Sequence, residues 1–236
     1  MKVIVTLTSW TKRIASSIGT IKSIMEGDML PDLIVMNLSK SEFEGIPLPD
    51  EILELEQSEE RFKINWIDGP NTKTFKKLIP TLEMFPDDIV ISIDDDIYYP
   101  KKFVSGLVKE FNNNPNHPIT IAYNYHKGVL IPWGGGTLYK YEFLKRYEKL
   151  LDEDVIQTYE DDWFYAYMLL YNGYELKLAP SELCYTPGRY LQTTYEHQMY
   201  LTKTYNTSET IKVLDAKLEA RGETFDNLVK NILNKK

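Results

Sequence analysis

The chain has 236 residues, a length that suits one large domain or one domain with a small appendage. Its net charge is −8, and it has neither a basic stripe nor the folded motif of a nucleic-acid reader, which argues against nucleic acid as a partner. Its single cysteine, Cys184, excludes an internal disulfide framework and a zinc site built from several cysteines.

The N-terminal sequence MKVIVTLTSW carries one lysine and turns polar by Thr6, as a first β-strand does and a signal peptide does not. No window of the sequence approaches the roughly 18 apolar residues of a membrane-spanning helix. We therefore expect a cytoplasmic protein.

Strand and helix patterns alternate through the first half of the chain. The fourth strand pattern is apolar at consecutive positions, which is typical of a parallel strand covered on both faces. The alternation predicts right-handed crossovers and an open α/β sheet. The predicted strands are residues 2–8, 32–38, 62–67 and 88–93, and the predicted helices are residues 14–25, 50–57 and 74–84.

The second half of the chain is less regular. No repeat or long linker divides it, so we expect residues 1–207 to form the main domain and residues 208–236 a helical segment packed on it. The predicted elements are a helix at 101–112, strands at 119–125 and 128–131, a glycine-rich loop (WGGGTLY) that feeds a strand, a helix at 161–171, a strand at 175–178, and helices from 208 with a break at 222.

The C-terminal segment is amphipathic and ends in Lys235 and Lys236. Such an end can rest on an anionic membrane, but two lysines are a small charge, and Glu223 and Asp226 oppose them. We expect the segment to pack on the domain or on a second subunit, which leaves a homo-oligomer open. Contact with the inner face of the membrane is expected to be weak and peripheral at most.

Three aspartates, Asp94, Asp95 and Asp96, follow the fourth predicted strand. Because residues two apart in a strand point to the same side, we expect Asp94 and Asp96 to face one point while Asp95 faces away. Ligands of open α/β sheets bind at the carboxyl ends of the strands, and two carboxylates there suit Mg²⁺ or Mn²⁺. The alternative is a solvated acidic turn, but burying unpaired charges at the end of a buried strand costs free energy, which favours a function for them.

A second acidic cluster, YEDDWF, opens a predicted helix with Asp161 and Asp162. The helix dipole favours acids at this position, and capping alone would explain one of them. A carboxylate that faces a cleft from a helix start can also act as a general base. Both interpretations stay open at this point.

Basic residues follow the ends of the first and third predicted strands. TSWTKRI places Thr8 and Arg13 at the carboxyl edge of the sheet. GPNTKTFKKL places Lys73 and Lys77 at the start of a helix, where backbone N–H groups and lysines bind phosphate. Lys76 is expected to be solvated instead. Three glycines in WGGGTL permit close backbone approach, with a plain flexible loop as the alternative.

In this order, the segments TLTSWTKRI, GPNTKTFKKLIPTL, DDIVISIDDDIYYP, WGGGTLY and EDDWF resemble the GT-A family of nucleotide-sugar-dependent glycosyltransferases over residues 1–180. The closest resemblance is to bacterial enzymes that build capsule, lipopolysaccharide or other surface glycans. It implies a GT-A, Rossmann-like open mixed sheet flanked by helices. It also implies metal-dependent transfer of a sugar from a nucleotide diphosphate sugar to a hydroxyl of a glycan or lipid-linked acceptor, with inversion favoured.

The resemblance implies a donor site at the carboxyl edge of the sheet. Asp96, with Asp94 or Asp95, would hold Mn²⁺ or Mg²⁺ on the donor diphosphate, and Asp94 would alternatively reach the ribose. The base of the nucleotide would lie against residues of the first and third strand ends, namely Thr8, Arg13 and Asp68.

The resemblance also implies roles on the acceptor side. Asp161 would act as the general base, and the additional Asp162 leaves the division of labour between the two open. Inverting members often add a late histidine to the metal, which implies His197, with His126 as the rival. Sugar-stacking aromatic residues are expected at Trp133, Tyr139 and Trp163.

Two other classes of protein compete with this interpretation. A sugar nucleotidyltransferase would need a glycine-rich first loop for a triphosphate, and TSWTKRI contains no glycine. A non-catalytic, cation-dependent carbohydrate-binding protein would not need the α/β half or the second acidic cluster.

Overall fold

The computed structural model describes residues 1–121, 124–183 and 207–234. Its strands in these ranges are β1 (Val3–Thr8), β2 (Leu33–Ser39), β3 (Phe62–Ile67), β4 (Ile89–Ser92), β5 (Ile119–Thr120), β6 (Asn124–His126), β7 (Val129–Ile131), β8 (Thr137–Tyr139) and β9 (Lys177–Leu178). Seven of them form one sheet in the order β3-β2-β1-β4-β8-β5-β9. Strands β6 and β7 form a separate antiparallel hairpin.

The sheet is mixed. Strands β3, β2, β1 and β4 are parallel, whereas β8 runs antiparallel to its neighbours β4 and β5. The parallel half brings the carboxyl ends of β1 and β4 side by side, with Thr6 paired to Ser92. The predicted open mixed α/β sheet is confirmed.

Helices follow the strands along the chain and flank the sheet. They are α1 (Ser17–Met25), α2 (Asp50–Ser58), α3 (Ile79–Met84), α4 (Phe103–Asn113), α5 (Tyr141–Leu144), α6 (Glu153–Ile156), α7 (Asp161–Tyr171), α8 (Thr207–Glu219) and α9 (Phe225–Leu233). Short 3₁₀ turns lie at Ile14–Ser16, Lys73–Lys77 and Tyr147–Lys149. Among the residues with a described structure, no helix is both long and apolar enough to cross a membrane.

A buried polar network ties β1, β2 and the 3₁₀ turn Lys73–Lys77 together. The amide of Asn37 donates to the hydroxyls of Thr6 and Thr81, at 3.0 and 2.8 Å. The Thr6 hydroxyl donates to the carbonyl oxygen of Lys77 at 2.6 Å, and the Asn37 amide reaches the same oxygen at 3.2 Å. Buried polar groups are stable only with partners. The network therefore holds Lys77 beside the carboxyl half of the central strands.

The two C-terminal helices contribute side chains to the same apolar core as the sheet. Leu214 and Leu218 of α8 are fully buried, and Phe225 of α9 lies 4.7 Å from the ring of Tyr167 on α7. The Tyr167 hydroxyl also donates to Asp215 at 2.7 Å. The predicted helices and their break are confirmed: Gly222 adopts a φ of 72° between them. The division of the chain at residue 207 stays a prediction.

Three predicted elements differ in the structure, and the first is the helix expected at residues 14–25, which is a 3₁₀ turn followed by α1. The single helix expected at residues 74–84 is a 3₁₀ turn followed by α3, because Pro80 cannot donate a backbone hydrogen bond to the preceding turn. The single strand expected at residues 119–125 is also wrong: β5 ends at Thr120, and β6 begins at Asn124. Lys127 and Gly128, with φ of 49° and 86°, form the two-residue turn that pairs β6 with β7 instead.

We predict that Leu218→Ala lowers the free energy of unfolding by about 2–5 kcal/mol, because it empties a fully buried site between α8 and the domain. Lys212→Ala, on the exposed face of the same helix, is the matched control and should change it by less than about 0.5 kcal/mol. Urea unfolding of both variants would measure this. A separate early transition for α8, or equal effects of the two substitutions, would contradict the prediction.

Candidate active site

The aspartate run begins two residues after β4 ends and lies beside the end of β1. Asp95 accepts a hydrogen bond from the Ser9 hydroxyl at 2.5 Å and another from the Arg13 guanidinium. Arg13 also forms an ion pair with Asp96 at 3.2 Å. All of these side chains are buried. The loop after β1 thus supplies both the hydroxyl and the positive charge that stabilise two buried carboxylates.

The expected alternation of the aspartates is wrong. It assumed that the strand continues through Asp96, but β4 ends at Ser92, so the period of two no longer applies. Asp95 and Asp96 share one arginine, whereas Asp94 is half-buried and pairs with Lys77 at 2.9 Å. Asp94 is therefore the most accessible carboxylate of the run. Metal binding by Asp94 and Asp96 stays a prediction.

Lys77 joins the two acidic clusters. Its ammonium nitrogen lies 2.9 Å from Asp94 Oδ1 and 3.6 Å from Asp161 Oδ2. Burial by itself would lower the pKa of Lys77, but the carboxylates of Asp161 and then Asp94 outweigh burial and raise that pKa above its ordinary value. The lysine is therefore charged. The phosphate contact predicted from its place at a helix start is untested, and its nitrogen is already engaged by carboxylates.

The two acids at the start of α7 interact outside their own helix. Asp161 is buried, and its Oδ2 has no hydrogen-bond partner among the described residues. Asp162 Oδ1 accepts a hydrogen bond of 2.6 Å from the backbone N–H of Gly134. Burial raises the pKa of both carboxyl groups. The positive charge of Lys77 opposes this effect but is weaker than burial for each acid, so both pKa values stay above the ordinary value. Capping of α7 thus does not account for where these side chains lie.

The glycine-rich loop packs directly on both acidic clusters. A Cβ atom at Gly134 would lie 2.4 Å from the Lys77 nitrogen, and one at Gly135 would lie 2.4 Å from Asp94 Oδ2. The hydroxyl of Tyr99 donates to the carbonyl oxygen of Gly135 at 2.6 Å and accepts from the N–H of Asp94 at 2.9 Å. The loop is therefore held in place, and the close approach predicted for its glycines is confirmed. Tyr99 was missed by the sequence analysis, because nothing in IYYP marks which tyrosine turns inward.

The aromatic residues divide into two groups. Tyr139 is fully buried, so the expectation that it stacks on a sugar is wrong: β8 lies in the sheet interior, and its side chain enters the core. Its ring lies 5.9 Å from that of Tyr165, behind the α7 acids, and burial raises the pKa of both hydroxyls. Trp133 and Trp163 are half-buried and retain an accessible part.

Several predicted donor-site residues make contacts of their own. Thr8 donates to the carbonyl oxygen of Asn37 at 2.7 Å, and the exposed Asp68 pairs with Lys40 at 2.9 Å. Lys73 adopts a φ of 55° and lies 5.4 Å over the ring of Tyr159. Their contacts with a donor stay predictions.

The expectation of a solvated Lys76 is wrong. Lys76 is buried and forms an ion pair of 3.1 Å with Glu42, and burial lowers its pKa. Its ammonium group also donates to Asn71 Oδ1 at 3.2 Å and to the carbonyl oxygen of Lys73 at 3.1 Å, so the buried charge has partners.

The histidine predictions remain without support from the site. His197 lies outside the described residues. His126, the rival, lies in β6 with its ring 5.0 Å from Trp163 and 5.4 Å from Phe225. Within residues 1–121, 124–183 and 207–234, no group of three or more histidine, cysteine or acidic side chains is arranged to hold a metal by itself.

The fold is shared with solved glycosyltransferases. The chain aligns over 80% of its length with the mannosyltransferase PcManGT from Pyrobaculum calidifontis in complex with GDP-Man and Mn²⁺, at a TM-score of 0.60 and 16% identity, and spans 58% of that protein. It aligns over 99% of its length with residues 1–349 of S. aureus TarS, at a TM-score of 0.61 and 15% identity, and spans 71% of that chain. No family model and no curated protein matches the chain by sequence. At these identities the likeness defines the fold, which is that of the GT-A glycosyltransferases.

We predict that Gly135→Ala lowers turnover about 100-fold, because its Cβ would displace the Asp94 carboxylate or the Trp133 ring, and misplacing a group of the site by about 1 Å costs that order. The matched control is Gly19→Ala in α1, whose Cβ would have the end of the exposed Tyr98 side chain as its nearest contact, and that side chain can turn into solvent. Steady-state rates and melting temperatures of both variants would decide. Equal activity of the two variants would contradict the prediction.

Proposed function

We propose that the chain is a metal-dependent glycosyltransferase. It would move a sugar from a nucleotide diphosphate sugar to a hydroxyl of a glycan or lipid-linked acceptor, with inversion at the anomeric carbon. One observation carries this proposal: the aspartate run after β4 and the acids at the start of α7 meet at Lys77 beneath a glycine loop, at the carboxyl edge of a GT-A sheet. Open α/β sheets bind their ligands at this edge.

The residues of the site fit a divalent cation. Five carboxylates face two side-chain cations in the described part of the cluster, and the raised pKa values of Asp161 and Asp162 reflect burial together with this excess of acid. Asp94 is the most accessible carboxylate of the run, and we propose it together with Asp96 as the oxygen ligands for Mn²⁺ or Mg²⁺. Both carboxylates also form ion pairs, Asp94 with Lys77 and Asp96 with Arg13. When bound, such a cation offsets the charge that develops on the leaving diphosphate.

The donor class is supported by the structural neighbours. PcManGT was solved with GDP-Man and Mn²⁺, and TarS with UDP-GlcNAc, so two proteins of this fold bind nucleotide sugars. We propose that the donor lies over Asp94 and the glycine loop. Its nucleotide would extend toward Thr8, Arg13 and Asp68 at the ends of β1 and β3, with Lys73 near the phosphates.

Asp161 is the proposed general base. Its Oδ2 is buried without a hydrogen-bond partner in the described ranges, and its raised pKa makes it a stronger base than an exposed aspartate. The acceptor hydroxyl would attack the anomeric carbon and pass its proton to this carboxylate, while the bond to the diphosphate breaks. Asp162 would hold the glycine loop through Gly134, and the half-buried Trp163 would line the acceptor side.

The setting of the reaction is part of the proposal. We propose a cytoplasmic enzyme whose acceptor is a growing glycan or a lipid-linked sugar, with weak peripheral contact to the membrane at most. Residues 1–207 would form the catalytic domain, with residues 208–236 packed on it. A second copy of the chain is the proposed alternative partner of that segment.

We predict that nucleotide diphosphate sugars bind only with Mn²⁺ or Mg²⁺, and that Asp96→Asn removes this binding, because loss of one anionic ligand weakens a hard-cation site. Asp87→Asn, the same change at an exposed position before β4, is the control. Calorimetry across a panel of nucleotide sugars, with and without a chelator, would test this. Preferred binding of a nucleoside triphosphate would favour a nucleotidyltransferase, and binding of sugar alone would favour a carbohydrate-binding protein.

We predict that Asp161→Asn lowers kcat by about 10²–10⁴-fold while donor affinity is kept, because a base acts on the acceptor and not on the donor. Asp162→Asn is the comparison: it keeps an oxygen that can accept from Gly134, so its rate should fall less. Single-turnover rates and donor titrations would separate the two variants. The reverse order of effects would assign the base to Asp162.

A further inference from the structure

We propose that Lys77 is a positioning residue that sets the distance between the donor-side carboxylate of Asp94 and the acceptor-side carboxylate of Asp161. This inference rests on the proposed function and concerns how its two half-sites are held together. The two aspartates lie 67 positions apart in the chain, on a strand end and a helix start, and Lys77 contacts both.

The backbone of Lys77 is held by hydrogen bonds from the sheet. Its carbonyl oxygen accepts hydrogen bonds from Thr6 and Asn37, which belong to β1 and β2 in the centre of the sheet. The Asn65 side-chain amide in turn donates to Oδ1 of Asn37 at 2.7 Å. These hydrogen bonds anchor the backbone of Lys77 to the central strands of the sheet, so its side chain starts from a fixed point.

The side chain of Lys77 is enclosed at its tip. Its nitrogen pairs with Asp94 at 2.9 Å and with Asp161 at 3.6 Å, and a Cβ atom at Gly134 would lie 2.4 Å away. Only a glycine fits against it, and the same glycine donates its N–H to Asp162. The lysine, the loop and the α7 acids therefore pack as one unit, so removal of the ammonium group frees both carboxylates to move.

The geometry distinguishes this role from phosphate binding. A phosphate ligand needs an accessible donor, whereas the Lys77 side chain is buried and its charge faces carboxylates. The neighbouring Lys76 offers an internal comparison. It is also buried in the same 3₁₀ turn, but its ammonium group contacts Glu42, Asn71 Oδ1 and the carbonyl oxygen of Lys73, and none of the acids of the two clusters.

The test is a double-mutant cycle of Lys77→Met and Asp161→Asn, with Lys76→Met as the control for loss of a buried lysine. Each variant would be measured for kcat, for donor affinity by calorimetry with Mn²⁺ and UDP or GDP, and for urea unfolding. We expect Lys77→Met alone to lower kcat about 100-fold at unchanged donor affinity, because its effect is one of misplacement. In the Asp161→Asn background it should cause no further loss. Lys76→Met should reduce stability and leave kcat unchanged.

Two outcomes would overturn the inference. A fall in donor affinity that matches the fall in kcat would make Lys77 a donor ligand, and additive losses of kcat in the double variant would show that it does not act through Asp161. A wild-type chain that transfers no sugar from any donor would refute the proposed function instead. In that case the free energies of unfolding from the double-mutant cycle still test the role of Lys77. Non-additive losses of stability for Lys77→Met and Asp161→Asn support its coupling to Asp161, and additive losses overturn it.

Discussion

Three adjacent aspartates at the end of a buried strand are tolerated because two basic side chains reach them from other parts of the chain. Arg13 arrives from the loop after β1 and pairs with Asp95 and Asp96. Lys77 arrives from the 3₁₀ turn before α3 and pairs with Asp94. A buried charge without a partner destabilises the fold by more free energy than a surface contact contributes. The positions of these loops therefore follow from the acids whose charge they compensate.

The same constraint explains the polar residues within the parallel sheet. Thr6 and Asn37 occupy positions where the core would otherwise be apolar, and they bind the backbone of Lys77. The glycine loop closes the cluster from the other side, since Gly134 and Gly135 leave no space for side chains. A site assembled from five separate segments is thereby held by the sheet itself. Such rigidity is what a reaction between two positioned substrates requires.

The β6–β7 hairpin and α9 lie beside the acceptor side of the proposed site. The hairpin of β6 and β7 is fastened to α9 by an ion pair of 2.7 Å between Lys127 and Asp226, and His126 packs between Trp163 and Phe225. Trp163 directly follows the α7 acids in the chain. The C-terminal helices therefore support the aromatic surface beside the proposed base, which links the stability of that segment to the shape of the acceptor site.

The sequence by itself determined the α/β alternation, the bounds of β3 and α7, the acids at both positions and the need for glycines in the loop. These features are local, because hydrophobic periodicity, helix starts and backbone freedom are set by neighbouring residues. Only the tertiary structure decided that Arg13 serves the aspartates, that Lys76 and Tyr139 are buried, and that Lys77 joins Asp94 to Asp161. Each of these contacts depends on which distant segment of the chain lies next to the residue in the fold. Hydrophobic periodicity reports only on neighbouring residues, so it does not predict which charges pair at the edge of the sheet.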